Sequence, residues 1–395
     1  MTSKPEPILP DRRQTARDLL EKLVAFDTTS AKTNIPLIEF VRGYLAGHGV
    51  ESQLVPTPDG LKASLFATIG EAGKPGIGLS GHTDVVPVEG QQWTSDPFKV
   101  TERDGMLYGR GTCDMKGFLA CTLAMVPEYK ARNLQTPIHI VFSYDEEVGC
   151  TGVRPMIDEM GSRLTRPRLV VVGEPTNMTI VDSHKGATRF RTTITGREAH
   201  SSLAHIGVNA IHIGGMLISE LSRIEDELRD GPQNERFTPS YTTLQIGLIE
   251  GGRAQNIVPK HCAFSWEIRA LPGFEIKTIV ERFERYIKER CLPSMQAVGH
   301  DTGIVTSLMN SVPAFYSGGS SEAVSLTLKL MGQNGTQAVS YGTEAGLFQG
   351  GGCDSVICGP GDIEQAHRPD EFVKISELER CLDFLDRLGA WAEAN

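Results

Sequence analysis

The stretch "TPIHIVFSYDEE", Thr136 to Glu147, opens as an apolar run of strand length and ends in three consecutive acids, Asp145, Glu146 and Glu147. Two more stretches have the same form. "GIGLSGHTD" (Gly76 to Asp84) runs into His82 and Asp84, and "RLVVVGEPT" (Arg168 to Thr176) runs into Glu174. Helical periodicity lies around and between them. In "DRRQTARDLLEKLVAF", Ala16, Leu19, Leu20, Leu23 and Val24 recur at helical spacing, and "NIPLIEFVRGYLAGHG" and "GFLACTLAMVPEYKARN" read as further helices. Strands with polar tips alternating with helices predict an α/β layer protein whose central sheet is mostly parallel.

The pattern changes after Lys185. "GATRFRTTITGREAHSS" reads as a strand and a helix start, and "GVNAIHIGGMLISELSRIEDEL" as a long helix. "SYTTLQIGLIEGG" and "HCAFSWEIRALPG" read as paired strands, and "FEIKTIVERFERYIKER" as a second helix. That block predicts a small α+β domain inserted into the α/β domain. The α/β pattern resumes with the helix "SEAVSLTLKLMG", the strand "SVICGPG" and a closing helix "KISELERCLDFLDRLGAWAE". The expected division is 1–184 and 303–395 for the α/β domain and 185–302 for the insertion.

Composition narrows the function classes. Hydrophobic residues make up 39% of the 395 positions and charged residues 22%, as in a globular chain with a substantial core. The formal net charge of −10 argues against nucleic acid or an anionic membrane as partner. No apolar run is long enough for a membrane span, and "MTSKPEPILPDRRQ" lacks the apolar core of a signal peptide. The default expectation is cytoplasmic. The 8 cysteines are scattered without a C-x-x-C pair, and reduced thiols in or near the core are expected.

In open α/β sheets, ligands bind at the carboxyl ends of the strands. Five such tips or loops here carry metal-capable groups: His82 with Asp84, Asp114 in "GRGTCDMKG", Glu146 with Glu147, Glu174, and His367 in "GPGDIEQAHRPDE". Each has an ordinary reading alone. His82 is a hydrogen-bonded histidine, Asp114 a helix N-cap, Glu174 a turn carboxylate, His367 a loop residue, and adjacent glutamates commonly face water. As a set, imidazoles and carboxylates suit a pair of divalent ions, zinc or else cobalt or manganese.

The ordered motifs "GHTDVVP", "YGRGTCDMKG", "DEEVG", "GEPT", "REAHSS" and "NIVP" resemble the di-zinc metallopeptidase family that includes acetylornithine deacetylase, succinyl-diaminopimelate desuccinylase, aminoacylase and glutamate carboxypeptidase. The resemblance runs from about residue 15 to the end. It implies a catalytic α/β domain interrupted by an inserted lid through which a homodimer forms. It further implies that His82, Asp114 and Glu174 bind one zinc, that Asp114, Glu147 and His367 bind the other, that Glu146 is general base and acid, and that Asp84 orients His82. His200 would stabilise the oxyanion in the neighbouring subunit's site, its alternative being a helix-start residue beside Ser201 and Ser202. Asn256 and Arg269 would meet the substrate, Arg269 by its α-carboxylate, with the backbone of Gly359 on the same group.

"SYGTEAGLFQ" (Ser340 to Gln349) resembles the acetylornithine deacetylase branch, which implies hydrolysis of N2-acetyl-L-ornithine to L-ornithine and acetate in arginine biosynthesis. Glu344 is there either the partner of an ornithine ammonium or a hydrogen-bonded loop carboxylate. The alternatives are a broader N-acyl-amino-acid deacylase, the desuccinylase or a dipeptidase. Outside that chemistry stand a metal-binding paralogue without turnover and a scaffold built on the insertion's helices.

Overall fold

The computed structural model describes residues 11–395, which divide into two compact units. The first comprises the chain up to Asp182, Ser317–Gln337 and Thr343–Asn395, and the second comprises Ser183–Tyr316 with Ala338–Gly342.

In the first unit, the strands Ile138–Ser143, Ile77–His82, Leu169–Val172 and Asp354–Ile357 lie side by side and parallel. Ala63–Ile69 joins the Ile138 edge antiparallel and Ser52–Pro56 lies antiparallel beyond it. The sheet is therefore mixed, parallel at its centre and antiparallel at its flank, because the short "PTPDGLK" link between the first two strands permits only a reversal. All six residues of Ile77–His82 and of Ile138–Ser143 are buried, as expected for central strands covered on both faces.

The helices supply that cover. In Arg12–Val24 the buried residues are Ala16, Leu19, Leu20, Leu23 and Val24, the stripe that the spacing predicts. All eight residues of Gly117–Ala124 are buried, and it packs against Arg12–Val24 and the closing helix Ile375–Ala394. The single helix expected over "GFLACTLAMVPEYKARN" is two, Gly117–Ala124 and Val126–Ala131, parted where Pro127 withholds its N–H from the ladder. Ser321 caps Glu322–Met331 by accepting from the Val324 amide, and Gly332, at φ 64°, ends it in the left-handed region.

The second unit is a four-stranded antiparallel sheet in the order Thr243–Gly251, His261–Arg269, Ala187–Thr195, Gly303–Val312. The helices Ala210–Arg229 and Ile276–Tyr286 bury Leu217, Leu221, Ile279 and Phe283 against Phe190, Phe264 and Trp266. Trp266 stacks on Phe190 at 4.4 Å and donates its indole N–H to Thr192 Oγ1 at 3.1 Å. The boundary expected at 302 moves. Gly303–Val312 pairs along its length with Ala187–Thr195, so this unit runs to Tyr316. That strand is hard to read because Val305, Leu308 and Met309 are about 60% exposed and its apolar residues do not mark an inner face.

All eight cysteines are free and buried. Among the described residues, no helix is long and apolar enough to cross a membrane.

His139 sits fully buried in a central strand, its Nδ1 3.0 Å from Thr68 Oγ1 and its ring stacked on Phe66. Burial holds its pKa down to about 4 from an ordinary 6.5. The unfolded chain therefore binds a proton that the native chain refuses, and stability falls as pH drops from 6.5 towards 4. The loss amounts to roughly 3 kcal/mol. Urea unfolding at a series of pH values should show His139→Gln losing that much less than wild type over this window. Parallel profiles would remove His139 as the cause.

Candidate metal centre

The carboxyl ends of the four parallel strands place the chemistry. Ile77–His82 delivers His82 and, two residues on, Asp84. Ile138–Ser143 leads into Glu146 and Glu147, and Leu169–Val172 into Glu174. Asp114 lies in the turn before the helix Gly117–Ala124. His367 lies in the loop after Asp354–Ile357, at φ 66°. Asp145 and Cys150 flank the two glutamates at φ 53° and 54°. Left-handed backbone at non-glycine residues costs about 1 kcal/mol or more each and persists only where surrounding contacts enforce it.

Asp114 is the centre of the cluster. Its Oδ1 is 3.0 Å from His82 Nε2 and its Oδ2 is 3.3 Å from His367 Nε2. Glu147 Oε2 lies 3.0 Å from the same His367 nitrogen, and Glu174 Oε1 lies 3.9 Å from His82 Nε2. Donor atoms of His82, Asp114 and Glu147 fall within 4.8 Å of one another, as do those of His82, Glu146 and Glu174. The structure thus brings together His82, Asp114, Glu146, Glu147, Glu174 and His367.

The electrostatics are unbalanced. Burial, then like charge from their neighbours, raises the pKa of Glu146, of Glu147 and of Glu174. Burial acts the same way on Asp114, but hydrogen bonds from His367 and His82 outweigh it and hold its carboxyl low. Hydrogen bonds to Asp114 and Glu147 push His367 up to about 10. Four carboxylates thus face two imidazoles with no lysine or arginine ion-paired to any of them among the described residues. A cluster of oxygen and imidazole donors short of positive charge fits divalent cations.

Asp84 meets His82 with two groups. The His82 ring donates from Nδ1 to the backbone carbonyl of Asp84 at 2.9 Å, and the carboxylate is farther, at 3.5 Å. With that proton committed, Nε2 is the nitrogen facing the cluster. The Asp84 carboxylate accepts the amides of Glu146 and Glu147 at 3.1 and 3.3 Å and the Ser30 hydroxyl at 2.7 Å. It thus fixes the turn that carries both glutamates. Lys62 ties down the same turn, bonding the Ser30 carbonyl and Asp145 at 2.5 Å each. The Cys150 thiol lies 3.2 Å from Glu146 Oε1.

Glu344 is 1% exposed, and its two oxygens accept the hydroxyls of Ser143 and Ser80 at 2.5 and 3.3 Å. It has the contacts of a buried loop carboxylate. Gly359 is required for packing, since a Cβ there would lie 2.0 Å from the Gly173 carbonyl oxygen. Its amide is occupied by Thr176 Oγ1 at 3.2 Å, so it is not free for a substrate carboxylate.

His200, Asn256 and Arg269 belong to the second unit. His200 itself caps the short helical turn Ser201–Ile206, with Nδ1 accepting the Ser202 amide at 3.2 Å. Neutral His200 then carries its proton on Nε2. Its strand partner across an isolated bridge is Ile257, beside exposed Asn256. Arg269 is held by both oxygens of Glu267, at 2.7 and 3.2 Å, and Arg189 shares that carboxylate at 2.6 Å.

The model of peptidase family M20/M25/M40 matches residues 78–390. The chain therefore belongs to this family and is a hydrolase. Among curated relatives, the acetylornithine deacetylase of Myxococcus xanthus is 35% identical over 385 residues, covering 95% of this chain and 96% of that one. The acetylornithine deacetylase of Proteus mirabilis is 34% identical over 379 residues, 94% and 95% of the two chains. The fold is shared with a tripeptidase from Staphylococcus aureus (TM-score 0.76, 20% identity, 97% of this chain and 99% of that chain). It is shared also with an M20 metallo-carboxypeptidase from Sulfolobus solfataricus (TM-score 0.76, 19% identity, 96% and 99%).

Ligands that bind only the native state stabilise it, by about 2.7 kcal/mol at a hundredfold excess over Kd. Zinc titrated into metal-free protein should therefore raise the melting temperature, chelator should reverse the rise, and Asp114→Ala should not show it. A melting temperature indifferent to zinc would count against the centre.

Proposed function

We propose that this chain is a two-metal amide hydrolase that removes the acetyl group from N2-acetyl-L-ornithine, giving L-ornithine and acetate. The observation that carries the two-metal reading is the position of Asp114, whose two oxygens face different histidines, each accompanied by a further carboxylate. His82, Asp114 and Glu174 would hold one cation, and Asp114, Glu147 and His367 the other. The donors suit zinc, with cobalt or manganese as alternatives. Bound divalent cations supply polarisation of the amide carbonyl and acidify water.

The protein's own groups would do the rest. Glu146 takes a proton from water at its carboxylate and delivers it to the amine nitrogen that leaves, a transfer typical of a positioned general base. The Asp84 carboxylate, by gripping the amides of Glu146 and Glu147, keeps that carboxylate in place. His200, with its proton on Nε2, donates to the carbonyl oxygen as it gains charge. Arg269 turns its remaining nitrogen to the substrate α-carboxylate, with Asn256 as a polar contact beside it. A homodimer formed through the second unit would let each copy supply His200 to the other. The exposed Val305, Leu308 and Met309 on the edge strand Gly303–Val312 support an apolar contact there.

The acetylornithine reading is supported by the similarity to acetylornithine deacetylases over nearly the whole chain. Its chemistry is shared with other N-acyl amino acids, so the deciding experiment is kcat/KM for N-acetyl-L-ornithine, N-acetyl-L-methionine and N-succinyl-diaminopimelate with zinc and then cobalt supplied. A clear preference for the first is expected. A flat profile would leave a general deacylase, and inactivity with both metals bound would leave a dipeptidase, to be assayed on dipeptides, ahead of a non-catalytic protein.

Glu146→Gln should keep both metals, counted by elemental analysis, and lose at least a hundredfold in kcat, the scale of a general base. Near-normal turnover in that variant would sink the assignment. Glu344→Gln should leave the ratio of kcat/KM for N-acetylornithine over N-acetylnorvaline unchanged, because both Glu344 oxygens are already bonded within the protein. A collapsed ratio would instead make Glu344 the ammonium partner.

A further inference from the structure

The two segments that carry Asp114 and His367 are linked by a buried charged pair outside the ligand cluster. Arg110 and Glu371 are each only 1% exposed. Arg110 Nη1 donates to Glu371 Oε2 at 2.5 Å. The other oxygen, Oε1, accepts the amides of Cys113 and Asp114 at 2.9 and 3.1 Å. On its far side Arg110 donates from Nη2 to Gln91 Oε1 at 2.6 Å, with its guanidinium 5.1 Å from the Trp93 ring. Gln91 then donates from Nε2 to the backbone carbonyl of His367 at 2.8 Å. The chain of bonds is continuous from the amide of Asp114 to the carbonyl of His367.

A fully buried ion pair is a weak source of stability, because desolvation offsets most of its attraction. Here one oxygen of the acid is spent on two backbone amides and the other anchors the arginine, whose second amino group anchors Gln91. The His367 end needs fixing. Its backbone is left-handed and its side chain is 53% exposed, so packing alone does not hold the ring against Asp114. Groups that orient metal ligands from behind typically change metal affinity by 10- to 100-fold when removed.

We infer that Gln91, Arg110 and Glu371 are positioning residues that set the spacing between Asp114 and His367 and thereby the affinity of the cation these two share. This rests on the reading above, in which Asp114 and His367 bind one ion together.

The test is cobalt binding to metal-free protein, followed by calorimetry and by the visible spectrum of each bound equivalent. Gln91 is half-buried, so its variants spare the core. Gln91→Glu keeps the acceptor for Arg110 and removes the donor to His367, and Gln91→Met removes both at similar volume. In each, one equivalent of cobalt should bind as in wild type and the other roughly 10- to 100-fold more weakly, with altered absorption bands. A role in stability alone would leave both affinities and both spectra unchanged. Glu371→Gln, which loosens the Asp114 amide, should weaken both equivalents. His367→Ala is the control and should lose one equivalent. If it does while both Gln91 variants bind like wild type, the inference is overturned and the two-metal reading stands. If His367→Ala binds both equivalents normally, the shared-ion reading fails and the inference fails with it.

Discussion

Repulsion among buried carboxylates is the constraint around which the first unit is arranged. Asp114, Glu146, Glu147 and Glu174 converge where, among the described residues, only His82 and His367 bring positive charge. Left to themselves, such groups would splay into solvent or take up protons. They stay because their backbones are gripped from outside the cluster. The Asp84 carboxylate holds the amides of Glu146 and Glu147, Glu371 holds that of Asp114, and Gln91 holds the carbonyl of His367. The rigid parts beneath are four parallel strands and the helix Gly117–Ala124, buried on every face. The sheet sets where the strand tips are, and the hydrogen bonds behind them set where the charges point.

This division of labour explains what could be read in the amino-acid order. The tips were legible because each couples a local apolar run to a polar ending, as in Ile138–Ser143 leading to Glu146, and that signal lies within a dozen residues. Helix Arg12–Val24 was legible for the same reason, its buried stripe being written at a single period. The supporting contacts were not. Arg110 and Glu371 are 261 positions apart, and Gln91 and His367 are 276 apart. Nothing near Gln91 marks it as the residue that will meet a loop from the other end of the chain. "YGRG" and "HRPDE" were visible as motifs, but the pairing of the arginine in one with the glutamate in the other exists only in the fold.

Two further features have a common physical origin. The strand Gly303–Val312 is hard to read because Val305, Leu308 and Met309 are exposed while Ile304 and Val312 turn inward, and the ordinary inference from apolarity to burial fails at such an edge. Asp84 meets His82 Nδ1 with its backbone carbonyl at 2.9 Å and, more distantly, with its carboxylate at 3.5 Å, a choice of atoms that residue type alone does not reveal. In both cases side-chain chemistry does not say which of several near groups a given atom will meet.

The interrupted layout also bears on the order in which the protein can form as it is made. Ser183–Tyr316 is nearly all of the second unit and is continuous in the chain, so its four strands and both long helices are present once that stretch has emerged. The first unit must wait. Its strand Asp354–Ile357, His367, Glu371 and the closing helix Ile375–Ala394 all come last, and that helix packs against Arg12–Val24 and Gly117–Ala124, made hundreds of residues earlier. During synthesis the early α/β segments therefore carry exposed apolar faces and an incomplete ligand set while the inserted unit matures. Ribosomal output and folding run in opposite orders here. The unit begun first is finished last, and the histidine that completes its cluster, at position 367, follows the whole of the inserted unit.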